Sequence, residues 1–469
     1  MSWQVRVIRN RYADSVRLMT VARDVRALDG VGGCEIGMGT AANLEALQRL
    51  GADADSSPAD LVIAVEAADG AAGEALAAAE RALLASGAGG GQGPASAEAA
   101  PRSLPSATRA AGAADLALVS VPGEYAALAA HQALTLDLDV FLFSDHVGVQ
   151  DEVALKRRGL ARGRLVMGPG CGTAMLDGIG LGFANAVRAG TVGIVAAAGS
   201  GAQEVACLLD DAGAGVSSIV GVGGRDLSAE VGGLMFREGM RRLAADDATD
   251  TLLLVSKPPA PEVVRTLAEA VPADKRVVAA FVGPEVQAPF AVHRTLEAAA
   301  LAAAGEEAAP AGELERAAGE RRRPGQTVRG LYSGGTLAEE AATILHEALG
   351  EGRSEVLDLG DEEYTRGRPH PMVDLDVRAE LLERARDDDS VGCVLLDVVL
   401  GYGAHPDPAG ELGPVLASLA RRRPVVARVC GTRADPQDRD LQEERLREAG
   451  VLVAPSNAAA ARLAARVVA

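Results

Sequence analysis

Runs of strand length built almost wholly from apolar residues recur through this chain, each separated from the next by a helix-length stretch. ADLALVSVP, DVFLFS, RLVMGPG, TVGIVAAAG, VSSIVGVGG, TLLLVS and VVAAFVG fill the middle; VRGLYSGG, EVLDLGD, VGCVLLDVV, PVVARVCGT and GVLVAPS fill the last third. A strand with one face in water alternates polar and apolar residues. Strands this apolar are covered on both faces, which calls for helices above and below the sheet and for parallel order. Aromatic residues are only 3% of the sequence, so the cores must be built from Ala, Val, Leu and Gly. The expected class is α/β with parallel sheets.

At 469 residues the chain exceeds what one core serves, and two segments of low hydrophobicity and dense breakers divide it. They are read as linkers at 87–112 and 302–327. Residues 1–86 then form a small α/β domain with strands in VRVIR, GGCEIGM and ADLVIAVEA. Residues 113–188 read as a nucleotide- or CoA-binding-like α/β domain, and 189–301 and 328–469 as two flavodoxin-like halves of similar layout.

A formal charge of −19 excludes duplex nucleic acid and anionic membranes as natural partners, because their phosphates would be repelled. The five cysteines are scattered and lack CxxC spacing, which argues against a disulfide framework or a zinc knuckle, and no metal site is expected. The first residues, MSWQVRVIRNRYADSV, have no apolar run after their positive charges, and no stretch near 20 apolar residues occurs elsewhere. A cytoplasmic location is expected.

Each flavodoxin-like half opens with a strand that ends in a Gly/Ser turn feeding a helix: Gly199-Ser200-Gly201 in one, Ser333-Gly334-Gly335-Thr336 in the other. Such a turn lets backbone approach an anion while first-turn N–H groups stay free to donate. One alone is commonly a tight βα turn. Two in matching places point to a shared anion.

The order VPGEY, RLVMGPGCGT, TVGIVAAAGSGAQEVACLLDDAGAGVSSIVGVGGRDLSAEVGG resembles the α subunit of succinyl-CoA synthetase from the middle of its nucleotide fold onward. The stretch from GLYSGGTLAEEA through VLDLGDEEYTRGRPHPM to VLLDVVLGYGAHPDPA is similar to the carboxy-terminal domain of that enzyme's β subunit. A fusion of the two without an ATP-grasp domain, carrying YTRGRPHPM, resembles the FdrA family of acyl-CoA synthetase-like proteins. The resemblance covers about Ala113 to Ala469. It implies that the helices starting near Ser200 and Thr336 match the pair that binds a phosphorylated histidine from either end. Gly199, Ser200, Gly201, Ala202 and Gln203 would then donate on one side, and Ser333, Gly334, Gly335 and Thr336 on the other.

The departures are specific. The family's phosphohistidine loop follows the strand matching RVVAAFVG, where this chain has FVGPEVQAPF and its next histidine is His293. Near the position of the acid that orients that histidine stand Ser256 and Lys257, and Arg225 follows Gly223-Gly224. These cations suit a free oxyanion better than a docked histidine. The CoA-type glycine fingerprint is missing before Val62. His370, between Pro369 and Pro371 and close to Arg368, is a candidate general acid or phosphate acceptor, against the plainer reading of a hydrogen-bonded loop histidine. Cys171 sits at a strand end but has no basic neighbour in sequence, so packing is favoured over nucleophilic catalysis. Asp358, Asp361 and Asp397 are candidates to hold Mg2+ with a phosphate, or simply caps and turns.

From the resemblance, the expected function is transfer of a carbamoyl or acyl group to or from phosphate, as in an oxamate carbamoyltransferase subunit of purine (allantoin) catabolism. His370, Arg368, Arg225 and Lys257 would serve the chemistry. Phosphate or carbamoyl phosphate is then substrate; no cofactor is required, though CoA and Mg2+ have a place. Partner subunits and an oligomer are implied. Acyl-CoA synthesis with a separate ATP-binding subunit is the first alternative, and a non-catalytic scaffold that binds an acyl phosphate is the second.

Overall fold

The computed structural model describes the chain apart from residues 1, 12, 14, 69, 86–100, 102, 307–311, 324–325 and 366–367. It divides into two units, Met1–Ala99 with Arg366–Pro369, and Ala100–Thr365 with His370–Ala469.

The smaller unit alternates β1 (Ser2–Ile8), α1 (Ser15–Arg26), β2 (Val31–Met38), α2 (Ala41–Arg49), β3 (Leu61–Ala67) and α3 (Ala71–Ala85). Its three strands run antiparallel in the order β1-β3-β2. The central β3, LVIAVEA, is buried along nearly its whole length because α1 and α3 cover one face, and Leu44 and Leu47 of α2 pack on the other.

The larger unit begins with α4 (Leu104–Ala111), β4 (Leu116–Val119), α5 (Gly123–Thr135), β5 (Asp139–Leu142), α6 (Val149–Ala161) and β6 (Val166–Met167). There follow β7 (Thr173–Leu176), β8 (Ile179–Gly182), β9 (Ala189–Ala196), α7 (Gly199–Asp211), β10 (Val216–Gly221), α8 (Leu234–Ala244), β11 (Thr251–Ser256), α9 (Pro261–Glu269), β12 (Arg276–Phe281), β13 (Ala291–His293) and α10 (Leu296–Ala304). The remainder is α11 (Gly312–Glu320), β14 (Thr327–Tyr332), α12 (Gly335–Leu349), β15 (Ser354–Asp358), α13 (Glu362–Thr365), α14 (Asp376–Asp387), β16 (Val391–Val399), α15 (Pro408–Ala420), β17 (Val425–Cys430), α16 (Arg439–Glu448), β18 (Leu452–Ala454) and α17 (Asn457–Val468).

These strands make a parallel three-stranded sheet β4-β5-β6, a seven-stranded sheet β13-β12-β11-β9-β10-β7-β8 and a parallel five-stranded sheet β15-β14-β16-β17-β18. Every residue of β11, β16 and β17 is buried, as strands covered on both faces must be. The seven-stranded sheet departs from the parallel expectation at one edge. Asp177 and Gly178 both take positive φ (49° and 77°), a two-residue turn that folds β7 back on β8 and sets β7 antiparallel to β10. The segments read as linkers also carry regular structure, since α4 lies in the first and α11 in the second; residues 86–100 fall outside the described residues.

The two flavodoxin-like halves share one core. Side chains of α7 and α10 on one side, and of α12, α17 and β16 on the other, pack into a single cluster. Through it runs a buried ion pair: Arg428 Nε donates to Glu204 Oε1 and Oε2 at 3.0 Å each, and Glu204 Oε1 also accepts from Asn457 N at 3.0 Å. An Arg428→Met variant leaves the Glu204 carboxylate buried without its cation. A loss of about 3–5 kcal/mol is expected, read as a shift of the urea-unfolding transition, with much of it restored in Arg428→Met/Glu204→Leu.

Candidate functional site

The helices α7 and α12 meet at their amino-terminal ends. The Thr336 N–H donates to Ser200 Oγ at 3.3 Å, so a hydroxyl at the start of one helix caps the other. The approach needs glycine on both sides: a Cβ on Gly334 would lie 2.6 Å from Ser200 Cβ, and one on Gly201 would lie 3.0 Å from Thr336 Cγ2. Neither helix has a side-chain cap from its own N-cap residue, Ala198 or Gly334. On α7 the first bond closing the helix is Ala202 N to Ala198 O at 2.9 Å. The N–H groups of Gly199, Ser200 and Gly201 therefore have no acceptor among the described residues. A helix start left open carries partial positive charge and is suited to an anion.

Around this junction the contacts close into a ring. Thr173 Oγ1 lies 3.5 Å from where a Gly199 Cβ would stand, and it donates to Phe183 O at 2.7 Å. The Phe183 ring lies 5.3 Å from the His370 ring, centroid to centroid. His370 Nε2 is 3.2 Å from a Cβ position on Gly360, and the Gly360 N–H donates to Asp358 Oδ1 at 2.9 Å. Asp358 Oδ2 in turn lies 2.4 Å from a Cβ position on Gly335, the first residue of α12. Gly199 and Gly335 are half-buried while Ser200, Gly201, Ser333 and Gly334 are buried.

The ionisable groups here have defined states. His370 Nδ1 accepts from the Met372 N–H at 3.2 Å, which leaves the proton on Nε2, a tautomer inferred from that bond. Burial, and next the Arg378 charge, pull the imidazole down to about 4, so it is neutral at pH 7. Burial, opposed by the Gly360 amide and reinforced by Asp397 and Asp361, raises Asp358 to about 6. Lys257 Nζ pairs with Glu339 of α12 at 2.5 Å, and its charge acts on Asp358 in the opposite sense.

Several expected donors are engaged elsewhere. The amides of Ser333 and Gly334 donate to Asp397 Oδ1 and Oδ2 at 2.8 Å each, and that carboxylate also takes the Ser333 hydroxyl and Arg378 Nη2. The amides of Ser333, Gly334 and Thr336 are thus engaged, whereas that of Gly335 has no acceptor among the described residues. Ala202 is spent on its own helix, and the Gln203 side chain donates to Asn185 Oδ1 at 3.1 Å in the seam between the halves. The Arg225 guanidinium turns away from the helix starts, donating to Val147 O at 2.7 Å and pairing with Glu152 Oε2 at 2.9 Å. Arg368 is exposed and lies with the smaller unit. Cys171 is buried and its thiol is pushed up to about 12, with burial the largest cause; it packs under Gly221. Among the described residues no three His, Cys, Asp or Glu side chains gather to hold a metal ion.

Two features were missed from sequence. Thr173 and Phe183 reach the site only because the β7–β8 hairpin folds back, and the Asp177-Gly178 pair was its available signal. The buried Lys156, bonded to Glu152, Asp226 and Val222 O, sits on an otherwise ordinary helix and carried no local signal.

Residues 331–467 match the family model described as CoA-ligase. Residues 1–101 match one described as AllF, heavy metal-associated domain. The uncharacterised protein YahF of Escherichia coli (strain K12) is 36% identical over 506 residues, covering 97% of both chains. The α subunit of the ADP-forming succinate–CoA ligase of Methanothermobacter thermautotrophicus is 32% identical over 144 residues, 30% of this chain and 47% of that one. Among solved structures, the apo form of acetyl-coenzyme A synthetase 1 of Ca. Korarchaeum cryptofilum aligns over 75% of this chain and 82% of its own, with 15% identity and a TM-score of 0.31. No helix among the described residues is long and apolar enough to cross a membrane.

The first of these units does not fit a soft-metal centre. Its sequence contains one cysteine and no histidine between residues 1 and 101, and that cysteine, Cys34, is fully buried with its thiol pushed up to about 12 by burial.

Asp358 and His370 give opposite pH signatures. A carboxyl raised from 3.8 to about 6 favours the fold while protonated, so its contribution is whole below pH 3.8 and lost as pH rises through 6. A histidine lowered from 6.5 to about 4 contributes above pH 6.5, and that contribution is lost as pH falls through 4. Asp358→Asn is expected to stabilise the protein at pH 7.5, by about 3 kcal/mol at most, with no gain below pH 4. His370→Asn removes part of the acid-side loss. Thermal unfolding scans from pH 3.5 to 8 check both.

Proposed function

The chain belongs to the YahF family, and on that premise we propose that it is an acyl-CoA synthetase-like subunit of the FdrA type, exchanging an acyl group between phosphate and a second acceptor. One observation carries the reading: two helix starts, joined through Ser200 and Thr336, leave the N–H groups of Gly199, Ser200, Gly201 and Gly335 without an acceptor among the described residues. Phosphate is the guest these donors suit. In this reading His370 Nε2–H donates to an oxygen of the acyl group, and Lys257, paired with Glu339, acts through its charge on Asp358.

The acceptor decides between two readings. The kinship with CoA ligases favours a thiol: acyl phosphate and CoA give the thioester and inorganic phosphate, with ATP-dependent formation of the acyl phosphate left to a partner subunit. The absence of a histidine in FVGPEVQAPF, where the resemblance puts the phosphohistidine, favours a reaction needing no covalent relay. In that second reading carbamoyl phosphate and oxamate give oxalurate and inorganic phosphate. Neither requires a resident metal, and both place the protein in the cytoplasm with partner chains.

Phosphate release from acetyl or succinyl phosphate with CoA, compared with release from carbamoyl phosphate with oxamate, separates the two. Failure of both, with the neighbouring gene products present, removes the proposal. A sharper probe is Gly199→Pro. Proline is tolerated at the first helical residue, and Ala198 before it is already extended (φ −155°, ψ 105°), so the fold stands while one N–H is deleted. A charge-assisted hydrogen bond is worth about 1.5–3 kcal/mol. Phosphate affinity by calorimetry is therefore expected to fall about 10- to 100-fold in this variant and little in Gly199→Ala.

A further inference from the structure

We propose that Phe183 is the specificity-determining residue for the acyl group: a planar carbonyl or carbamoyl group lies against its ring while phosphate occupies the helix starts. This rests on the phosphate reading above and adds the class of group attached to it.

The sequence spends aromatic rings sparingly, with 6 Phe, 5 Tyr and 1 Trp in 469 residues. Three of the phenylalanines nonetheless form a row that ends at the site. Phe141 and Phe143 stand 6.4 Å apart, Phe143 and Phe183 5.8 Å, and Phe183 and His370 5.3 Å, with ring planes tilted by 37–48°. Phe141 is buried and belongs to the core, but Phe143 and Phe183 are half-buried. They lie just beyond the ends of β5 and β8.

Phe183 is also held more firmly than a surface ring needs to be. Its N–H donates to Gly172 O at 2.7 Å and its carbonyl accepts from Thr173 Oγ1 at 2.7 Å. Its ring edge packs on Gly403, where a Cβ would lie 3.3 Å from Cδ1. Thr173, which holds its carbonyl, is the residue beside Gly199, and His370, whose ring lies 5.3 Å away, carries its proton on Nε2. The ring thus lies beside His370 on backbone tied to the neighbour of the α7 start. It offers phosphate nothing, since it has no donor. It does offer a flat polarisable face to the one part of an acyl phosphate that is flat.

The test uses the full-length protein with its partner chains, carbamoyl phosphate and acetyl phosphate as substrates, and inorganic phosphate and ethyl phosphate as binding probes. Phe183→Leu is expected to raise KM for the planar substrates about three- to tenfold, the size of a ring-stacking contribution. Affinity for inorganic phosphate and for ethyl phosphate, whose carbon is tetrahedral, should stay unchanged. Phe183→Tyr should restore KM. If phosphate binds as in the wild type but KM does not move, Phe183 does not select the acyl group and the proposal fails alone. Parallel weakening of all four ligands makes the ring a packing residue and also overturns it. If the wild-type protein binds no phosphate, the parent reading falls and takes this one with it.

Discussion

The hydrogen bond from Thr336 N to Ser200 Oγ is the constraint on which the arrangement of the site depends. A helix start ordinarily satisfies its free N–H groups with a serine, threonine or aspartate of its own. Here α7 and α12 are preceded by Ala198 and Gly334, which cannot serve. Part of the missing capping crosses from one flavodoxin-like half to the other. The shared hydrophobic core and the Glu204–Arg428 pair hold the halves in the position that makes this exchange possible. Because the exchange satisfies only some of the amides, the remainder have no acceptor among the described residues.

Asp397 has the complementary task. It takes the Ser333 and Gly334 amides and is itself held by Arg378, so the turn before α12 is rigid and its charge is neutralised within the protein. Without Arg378, a buried carboxylate directly behind the helix start would repel the very anion that the helix start attracts. The division of labour is asymmetric: α7 supplies three open amides, whereas α12 supplies mainly Gly335 and a well-anchored wall. In a chain of formal charge −19, binding an anion depends on such local arrangements and not on the overall field.

Much of this was legible in the sequence because it rests on local pattern. Uninterrupted apolar runs such as VGCVLLDVV announced buried parallel strands, and the Gly-Ser-Gly and Ser-Gly-Gly turns announced two open helix starts. Side-chain direction was not legible. Arg225 follows a glycine pair as an anion ligand might, yet its guanidinium reaches Val147 and Glu152. Arg368 is two residues from His370 but falls with the other unit. Ser333 and Gly334 look identical in sequence to free donors; only a carboxylate more than sixty residues away, Asp397, removes them. Spacing fixes where a backbone turns, and the long-range partner fixes what the turn has left to give.

The same logic bears on the missing histidine. In the resemblance to succinyl-CoA synthetase, two helix starts cradle a phosphate carried in on a mobile imidazole, which needs an open approach between them. In this chain His370 accepts from Met372 on one nitrogen, lies beside Phe183, and is kept neutral by burial. Asp358, whose carboxyl lies against Gly335, is raised to about 6, chiefly by burial. What the structure shows of this rim is which of its groups are held still: His370 through Met372, the Gly360 amide through Asp358, and the Thr336 amide through Ser200.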